Sequence, residues 1–373
     1  MKIPLLGTGS TAFGELWHYS IPDLISEAQH AALQSAHLTA DAIDLIIVAN
    51  MGAELWSGQG HLGALAAETI KSSAPALRIE AACASGGVAL ATGIMAIQSG
   101  MAKTVMITGV EKMTDHPAGI VNAGLMTACR NDVEYMAGAS FASLFALVTR
   151  HYFDTYHIGR KELAAVSVKN HAAGYLNPKA HLRKKITIDD VLTAPMIADP
   201  LSILDCSPVS DGAASIIIGS PDYHRSPISI IGSGQGIDTM SITTRPTLTS
   251  FSATQKAVAQ AFGMTSLTPE DIAVAEVHDA FSMAELIALE DLGFCQAGTA
   301  HQHVGTTKAL INQSGGLKAK GHPIGATGIG QVIEIAQQLH ICKQQKPNTP
   351  HYGLTHNMGG IGTTVAVHLF SIT

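Results

Sequence analysis

Short apolar runs alternate along this chain with longer segments in which apolar residues recur every three or four positions. A short run bounded by turn residues predicts a buried strand, and the longer period predicts a helix packed on one face. The clearest case spans residues 77–98, where a strand ending near Ala82 leads into Cys83, a glycine-containing turn and a helix. Repeated alternation of strands and helices predicts an α/β fold with a mostly parallel sheet.

The same order of segments occurs twice, which predicts a duplicated β/α unit. Each copy opens with a glycine-containing strand and continues through a capped turn into a second strand. A glycine pair, a helix rich in small residues and a further strand follow. The paired segments are residues 5–10 with 230–235, 38–51 with 267–280, 86–100 with 315–339, and 103–113 with 351–362.

The segment at residues 113–204 departs from this alternation and is richer in His, Asn, Lys and Arg. It is followed by a strand predicted at 214–218, which completes the first copy. We therefore predict two halves, residues 1–220 and 228–373, joined by a linker at 221–227. The segment 113–204 is then an insertion in the first half, and we expect it to lie over the active face.

The amino-acid composition argues against several classes of protein. The 373 residues are 46% hydrophobic and 14% charged, yet no apolar run reaches the 18 residues that a membrane span needs. A net charge of -7 argues against nucleic acid as a partner. Five scattered cysteines suggest neither a disulfide framework nor a zinc site, so we expect a reducing cytoplasm and no metal. Gly7-x-Gly9 lacks the rest of a dinucleotide fingerprint.

Four residues with chemical potential occur at matching points of the two copies. Cys83 is expected in the first turn of its helix, where unpaired N–H groups and the helix dipole favour a thiolate. His278 follows one predicted strand, His322 lies in a glycine-rich loop before a helix, and His356 ends another strand. Ligands of parallel sheets gather where strands give way to helix N-termini, so these side chains are expected to converge.

A thiol beside imidazoles suits acyl transfer, in which the sulfur carries the acyl group. We assign His322, held between Gly321 and Pro323, to take the proton of Cys83. His278 is expected to polarise the thioester oxygen of a second substrate. The backbone N–H groups of Cys83 and Met358 are expected to form an oxyanion hole.

The motifs "ACASGG", "DCSPVSDGAA", "HDAF", "GGLKAKGHPIGATG" and "HNMGGIG" together resemble the thiolase family across essentially the whole chain. The resemblance implies a five-layer αβαβα sandwich of two similar halves with an inserted loop domain. It also implies a homodimer or homotetramer that acts on coenzyme A thioesters without a further cofactor. The nucleophile of the family maps to Cys83 and its Gly-His-Pro histidine to His322. His278 matches the archaeal-type and sterol-carrier-protein-type members.

The chain departs from the family at the second catalytic cysteine. The C-terminal position of that cysteine holds His356, and the position used by sterol-carrier-type enzymes holds Ala280. Condensation of two acyl units needs a base for the α-proton, and we predict that His356 is this base. The remaining cysteines are expected to be structural: Cys129, Cys206, Cys295 and Cys342.

The archaeal-type resemblance implies acetyl-CoA acetyltransferase activity, in which two acetyl-CoA give acetoacetyl-CoA and CoA, or the reverse. Arg183 and Lys184, in the basic run 179–185, either bind phosphates of coenzyme A or form a solvated charged face. By the resemblance, Ser314 and Gly315 border the pantetheine tunnel. Two alternatives stay open: a C-acyltransferase or ketoacyl synthase using another acyl carrier, and a non-catalytic scaffold subunit that binds coenzyme A thioesters. By the archaeal-type resemblance, a partner enzyme that receives acetoacetyl-CoA is also open.

Overall fold

The computed structural model describes residues 2–222 and 226–372. Its strands are short, rich in Ile and Val, and mostly buried, as a sheet covered on both faces requires. Within these residues the strands are β1 Ile3–Ser10, β2 Leu45–Ala49, β3 Ala76–Ile79, β4 Thr104–Glu111, β5 Met196–Ala198, β6 Leu201–Ser202, β7 Gly212–Gly219, β8 Ile228–Ile237, β9 Ile272–Glu276, β10 Leu310–Ile311, β11 His351–Gly359 and β12 Thr364–Ile372.

Helices fill the segments between most of these strands. Several begin with a capping side chain, such as Ser20 before α1 and Ser140 before α6. Over the described ranges the helices are α1 Ile21–Ala36, α2 Ala53–Ser57, α3 Leu62–Thr69, α4 Ser85–Gln98, α5 Ala118–Leu125, α6 Phe141–Tyr156, α7 Arg160–Leu176, α8 Ile188–Thr193, α9 Ser252–Gly263, α10 Ser282–Asp291, α11 Gly316–Lys320 and α12 Ile324–Gln345.

The strand order repeats itself in the two halves of the chain. The main sheet has the order β10-β9-β11-β12-β8-β1-β7-β4-β2-β3. Reading outward from the central β8 and β1, strands β8, β12, β11, β9 and β10 correspond to β1, β7, β4, β2 and β3. The two sets are joined by a short antiparallel contact that pairs Ile3 with Ile230 and Pro4 with Ser229. The duplication predicted from the sequence is confirmed, because each pair of matched segments occupies equivalent strands or helices.

The helices and the two strand sets form five layers. Helices α1 and α3 pack on the outer face of the first strand set. Helices α4 and α12 form the central layer and contact both strand sets. Helices α9 and α10 cover the outer face of the second set. The predicted αβαβα architecture is therefore confirmed.

Residues 113–204 contain helices α5 to α8 and strands β5 and β6. Side chains of α6 and α7 pack in the same core as the second strand set, so this segment lies across the second half of the chain. The domain limits 1–220 and 228–373 stay a prediction. The predicted linker at 221–227 lies partly outside the described residues.

The two central helices approach each other very closely at their N-terminal ends. A Cβ added to Gly86 would lie 2.9 Å from the Cα of Gly328, so no larger residue fits at this crossing without moving a helix. Cys83 comes just before α4, and His322 comes just before α12. The glycine contact therefore brings the two segments that carry these side chains together.

Two local predictions are corrected. The strand predicted up to Ala82 ends at Ile79, and it is an edge strand whose Leu77 is 37% exposed rather than a buried one. Helix α4 begins at Ser85, so Cys83 lies before the helix and not in its first turn. In the described residues, no helix has both the length and the apolar character needed to cross a membrane.

His368 on β12 provides a pH-sensitive contact with the start of α4. Its Nε2 lies 3.0 Å from the carbonyl oxygen of Gly87 and donates to it, and burial lowers the pKa of this imidazole to about 4. In the unfolded chain this imidazole therefore binds a proton near pH 6.5, whereas in the folded chain it does so only near pH 4. The neutral His368 contributes its full stabilisation of the folded chain above about pH 6.5. This stabilisation falls as the pH is lowered from about 6.5 to about 4.

We expect the free energy of unfolding to fall with acidification more steeply in the wild type than in His368→Gln. The glutamine keeps a donor but does not titrate. The difference in slope should approach about 1.4 kcal/mol per pH unit between about pH 6 and pH 4.5. Urea unfolding across this range measures it, with the exposed His151→Gln as the matched control. Identical slopes for wild type and His368→Gln would contradict the assignment.

Candidate active site

A mostly apolar cavity of about 110 Å³ lies where the inserted segment meets the two halves of the chain. Its polar side chains include Cys83, His278 and His322, which therefore share one space. The apolar lining comes from both halves and from the insertion. It includes Met51, Met113, Leu125, Ala128, Phe141, Phe145, Pro208, Val209, Ala280, Phe281, Ile324 and Met358.

Cys83 is held in place by its backbone. Ala82 has a φ of +50°, an uncommon conformation for a residue with a side chain, which turns the chain sharply before the thiol. The Oγ of Ser85 accepts from the N–H of Ala81 and donates to the carbonyl of Ala82. The Nδ2 of Asn357 donates to the carbonyl of Cys83 at 2.9 Å. The thiol is thus fixed between the start of α4 and the end of β11.

Burial controls the protonation of the thiol. It raises the pKa of Cys83 to about 12, against the opposing effect of the backbone N–H groups of Gly360 and Cys83 itself, which lie against the sulfur. The carboxyl groups of Glu111 and Glu80 raise the pKa further. Burial therefore opposes the thiolate that the sequence analysis expects, and it outweighs the stabilising N–H groups.

The hydrogen bonds of His322 fix its tautomer. Thr327 donates its one hydroxyl proton to the carbonyl of Pro323 at 2.9 Å, so its oxygen must accept at the Nδ1 of His322, 2.7 Å away. The proton of the imidazole therefore lies on Nδ1 and the lone pair on Nε2. This Nε2 is buried and has no hydrogen-bond partner among the described residues. Burial also lowers the pKa of His322 to about 3.

His278 lies close to His322 and to the thiol of Cys83. Its ring packs edge-on to that of His322, with the ring centroids 5.1 Å apart. One ring nitrogen of each histidine and the Sγ of Cys83 all lie within 4.8 Å of one another. The Nδ1 of His278 faces the Nδ2 of Asn357 at 3.4 Å and accepts from it, which leaves a proton on Nε2. Burial, His322 and His356 keep the pKa of His278 well below its usual value.

His356 does not reach this cavity, which removes the geometric basis for its predicted role as the base for the α-proton. Its Nε2 faces the hydroxyl of Thr254 at 3.1 Å, and its Nδ1 faces the backbone N–H of His278 at 3.4 Å. Both ring nitrogens are therefore engaged on the far side of β11. Burial lowers the pKa of His356 to about 3, so it is a neutral core residue.

Three further residues assigned from the sequence have the following surroundings in the structure. Met358 lines the cavity, but the backbone N–H beside the sulfur, besides that of Cys83, belongs to Gly360. Ser314 is buried away from the cavity and donates its hydroxyl proton to the carboxylate of Glu276 at 2.5 Å. Gly315 lies against Gly174 in a left-handed conformation and does not line the cavity either.

Arg183 and Lys184 lie outside the cavity. Both are exposed and line a surface groove together with His171, Asp190 and Leu204. The Nδ1 of His171 donates to the carbonyl of Lys184, so its Nε2 is an acceptor, and this atom has no partner in the part of the chain that the structure describes.

Sequence reasoning missed two buried residues that position the site. Asn357 accepts from the N–H of Gly87 and donates to Cys83, so it joins β11 to both. The carboxylate of Glu111 accepts four N–H bonds: from Asn50, Met51, Gly52 and Gly325. Burial raises its pKa to about 7, while the backbone N–H groups oppose that rise. The signal for Asn357 was present, since it stands beside His356 in the quoted motif.

The segment before β7, part of the motif "DCSPVSDGAA", also contributes to the site. Its Ser207, Pro208 and Val209 line the cavity. Leu204, three residues before Ser207, lines the groove that holds Arg183 and Lys184. The segment 204–209 therefore borders both the groove and the cavity.

Comparisons with known proteins give a consistent result. The sequence matches the family model "Thiolase, N-terminal domain" over residues 5–222 and "Thiolase C-terminal domain-like" over residues 234–372. It is 41% identical over 383 residues to "Acetyl-CoA acetyltransferase" of Methanothermobacter thermautotrophicus, with 99% of each chain covered. It is 39% identical over 390 residues to the protein of the same name from Methanocaldococcus jannaschii, with 99% of this chain and 98% of that one covered.

A solved structure shares the fold at lower sequence identity. The chain described as "Ltp2-ChsH2(DUF35) aldolase" superposes with a TM-score of 0.83 at 21% identity, covering 98% of this chain and 97% of that chain.

Asn357→Asp tests the positioning of Cys83. The change keeps the shape of the side chain but places an acceptor against the carbonyl of Cys83 and adds a buried charge. We expect the free energy of unfolding to fall by about 2 to 4 kcal/mol, since unpaired buried polar groups carry costs of this size.

Urea unfolding at neutral pH measures this loss. Asn131→Asp makes the same substitution at an exposed position and should change stability by less than about 0.5 kcal/mol. Equal stabilities for the two variants would show that Asn357 does not hold the site together.

Proposed function

The chain belongs to the thiolase family, and we propose that it is an acetyl-CoA acetyltransferase that carries the acetyl group on Cys83. It would condense two acetyl-CoA into acetoacetyl-CoA and CoA, and run the same steps in reverse. The observation that carries the proposal is the convergence of the Sγ of Cys83 with one ring nitrogen each of His322 and His278, all within 4.8 Å, in an apolar cavity.

The first half of the reaction uses the neutral thiol and imidazole together. The Sγ of Cys83 attacks the carbonyl carbon of acetyl-CoA while its proton passes to the Nε2 lone pair of His322. The N–H groups of Gly360 and Cys83 hold the oxygen as it becomes negative. When the intermediate collapses, His322 returns the proton to the sulfur of the leaving CoA. Acetyl-Cys83 remains, and His322 regains its lone pair.

In the second half His322 acts again, in the role that the sequence suggested for His356. Its Nε2 takes a proton from the methyl group of a second acetyl-CoA, and the Nε2–H of His278 donates to the enolate oxygen. The new carbanion attacks the acetyl carbon of acetyl-Cys83, and the carbon–sulfur bond breaks. The thiolate of Cys83 then recovers the proton from His322, so the enzyme ends in its starting state.

Incubation with acetyl-CoA followed by intact mass measurement tests this proposal. We expect a gain of one acetyl group on the wild type and on Cys342→Ala, and none on Cys83→Ala. His322→Gln should slow both acetylation and condensation by about 100-fold or more, the usual range for loss of a general base. His356→Asn should still condense acetyl-CoA, because its ring faces Thr254 and not the cavity.

The outcome also separates the alternative functions. An adduct that forms from acyl-carrier-protein thioesters but not from CoA thioesters would favour a ketoacyl synthase. A folded chain that forms no adduct would favour the scaffold. Condensation lost in His356→Asn but kept in His322→Gln would overturn the assignment of the base.

We further propose that the groove at Arg183 and Lys184 binds the phosphate-bearing end of coenzyme A. The segment 204–209 borders both this groove and the cavity, so one extended ligand can cross it from phosphate to thioester. The two cations suit the phosphates, and the unpartnered Nε2 of His171 suits a ribose hydroxyl or an adenine amino group. Asp190 is the acidic residue of the groove and opposes an anion there.

Replacing Arg183 and Lys184 together by alanine should raise KM for acetyl-CoA by about 10-fold, equal to about 1.4 kcal/mol, with kcat little changed. The KM for acetyl-pantetheine, which has no phosphate, should not change. Steady-state kinetics with both substrates measures the difference, and Lys346→Ala at an exposed distant position is the control. An equal rise of KM for both substrates would place the phosphates elsewhere.

Assembly and location complete the proposal. We expect a homodimer or homotetramer, with β3 as an exposed edge strand available for pairing. A partner enzyme that receives acetoacetyl-CoA stays a proposal, prompted by the structural neighbour whose name, "Ltp2-ChsH2(DUF35) aldolase", joins two components. We expect the cytoplasm, because all five cysteines are free thiols in the described chain.

A further inference from the structure

We propose that Cys83, His278 and His322 form a binding site for a zinc-class divalent ion, which occupies the site in competition with the acyl group. These three residues are called the Cys–His–His cluster below. The site inference rests on the arrangement of the donor atoms, whereas its inhibitory consequence rests on the proposed acyl transfer to Cys83.

The geometry of the cluster is close to that of a three-ligand zinc site. Its sulfur and two nitrogens lie within 4.8 Å of one another. With zinc–sulfur bonds of about 2.3 Å and zinc–nitrogen bonds of about 2.0 Å, tetrahedral donors lie about 3.3 to 3.6 Å apart. A movement of about 1 Å in side chains that border a cavity closes this difference. The cavity leaves room for a water or substrate atom as the fourth ligand, as in open zinc sites.

The donors are of the type that such an ion selects. A thiolate and two neutral imidazoles suit zinc and cobalt and do not suit magnesium. The Nε2 of His322 offers a lone pair without a hydrogen-bond partner in the described residues, and Thr327 holds the ring by its Nδ1–H. A hydrogen bond on the second nitrogen is the usual support of a metal-bound histidine.

Binding requires two proton shifts. Cys83 releases its thiol proton to solvent and binds the ion as a thiolate. His278 moves its proton from Nε2 to Nδ1 and gives up the long 3.4 Å contact with Asn357. The products are the bound ion and one free proton, with no oxidation or reduction. Glu111 and Glu80 act on the sulfur as negative charges and therefore favour a dication beside it.

The ion and the acyl group compete because both bind the same sulfur. Bound metal converts Cys83 into a ligand and occupies the lone pair of His322, so neither can take part in acyl transfer. An acetylated Cys83 in turn has no thiolate to offer. The cluster therefore links the acylation state of the enzyme to its affinity for a soft divalent ion.

Titration with Co²⁺ tests the site without any turnover. We expect one Co²⁺ per chain, a thiolate-to-cobalt charge-transfer band, visible bands of a four-coordinate ion and release of one proton per ion bound. Zn²⁺ should abolish the bands by displacement, and Mg²⁺ in excess should not. Cys83→Ser, which is nearly isosteric, should lose the charge-transfer band, and His322→Gln should lower the affinity by about 100-fold or more.

Cys342→Ser and His303→Ala remove a thiol and an imidazole outside the cluster and should keep the full spectrum. A charge-transfer band that persists in Cys83→Ser, or no band in the folded wild type at millimolar Co²⁺, would overturn the proposal. Because the spectrum needs no substrate, it is independent of the acetylation test. If the chain binds Co²⁺ but is never acetylated, the proposed metal site is supported and the proposed acyl transfer is contradicted.

Discussion

The close crossing of α4 and α12 is the contact on which the rest of the site depends. At Gly86 and Gly328 the two helices meet almost backbone to backbone, and a single added methyl group would force them apart. Each helix belongs to one copy of the duplicated unit, and each is preceded by a segment carrying one reactive side chain. Asn357 on β11 lies beside the crossing and forms hydrogen bonds with Gly87 and Cys83. The second strand set therefore fixes the position of Cys83. A reactive pair divided between two copies is thus held by packing in the central layer.

Burial then sets the resting state of the pair. A thiol and an imidazole exposed to water would each titrate within a few units of neutrality, but here burial raises the pKa of Cys83 to about 12 and lowers that of His322 to about 3. Both shifts favour the uncharged partners, so burial disfavours a thiolate–imidazolium ion pair. Negative charge is best accommodated at the N–H groups of Gly360 and Cys83, where an acyl oxygen rather than a resting thiolate would use them.

The sequence predicted those features that depend on local patterning. Matched apolar runs identified the duplicated halves, because every equivalent strand is a short apolar segment followed by a polar or glycine-containing turn. Convergence of Cys83, His278 and His322 followed from the rule that the ends of parallel strands meet at one edge. The orientation of His356 could not be predicted in this way. Residues 355–358 are buried on both faces of β11, so the hydrophobic pattern carries no alternation that would assign His356 or Asn357 to one face. The groove and the crossing depend on long-range contacts and had no local signal.

Neither position at which the family places its second catalytic cysteine holds a cysteine in this chain. In the proposed reaction one base therefore serves two proton transfers. In the proposed reaction the first transfer ends when CoA leaves as a thiol, because its sulfur carries away the proton that His322 took from Cys83. The Nε2 of His322 is then unprotonated again, and the Nδ1–H bond to Thr327 has kept the ring in the same orientation throughout. Acetyl-Cys83 carries no thiol proton, so the same nitrogen is free to take one from the second substrate. A separate second base is therefore unnecessary, provided that His322 remains neutral after each half-reaction, and its burial favours that state.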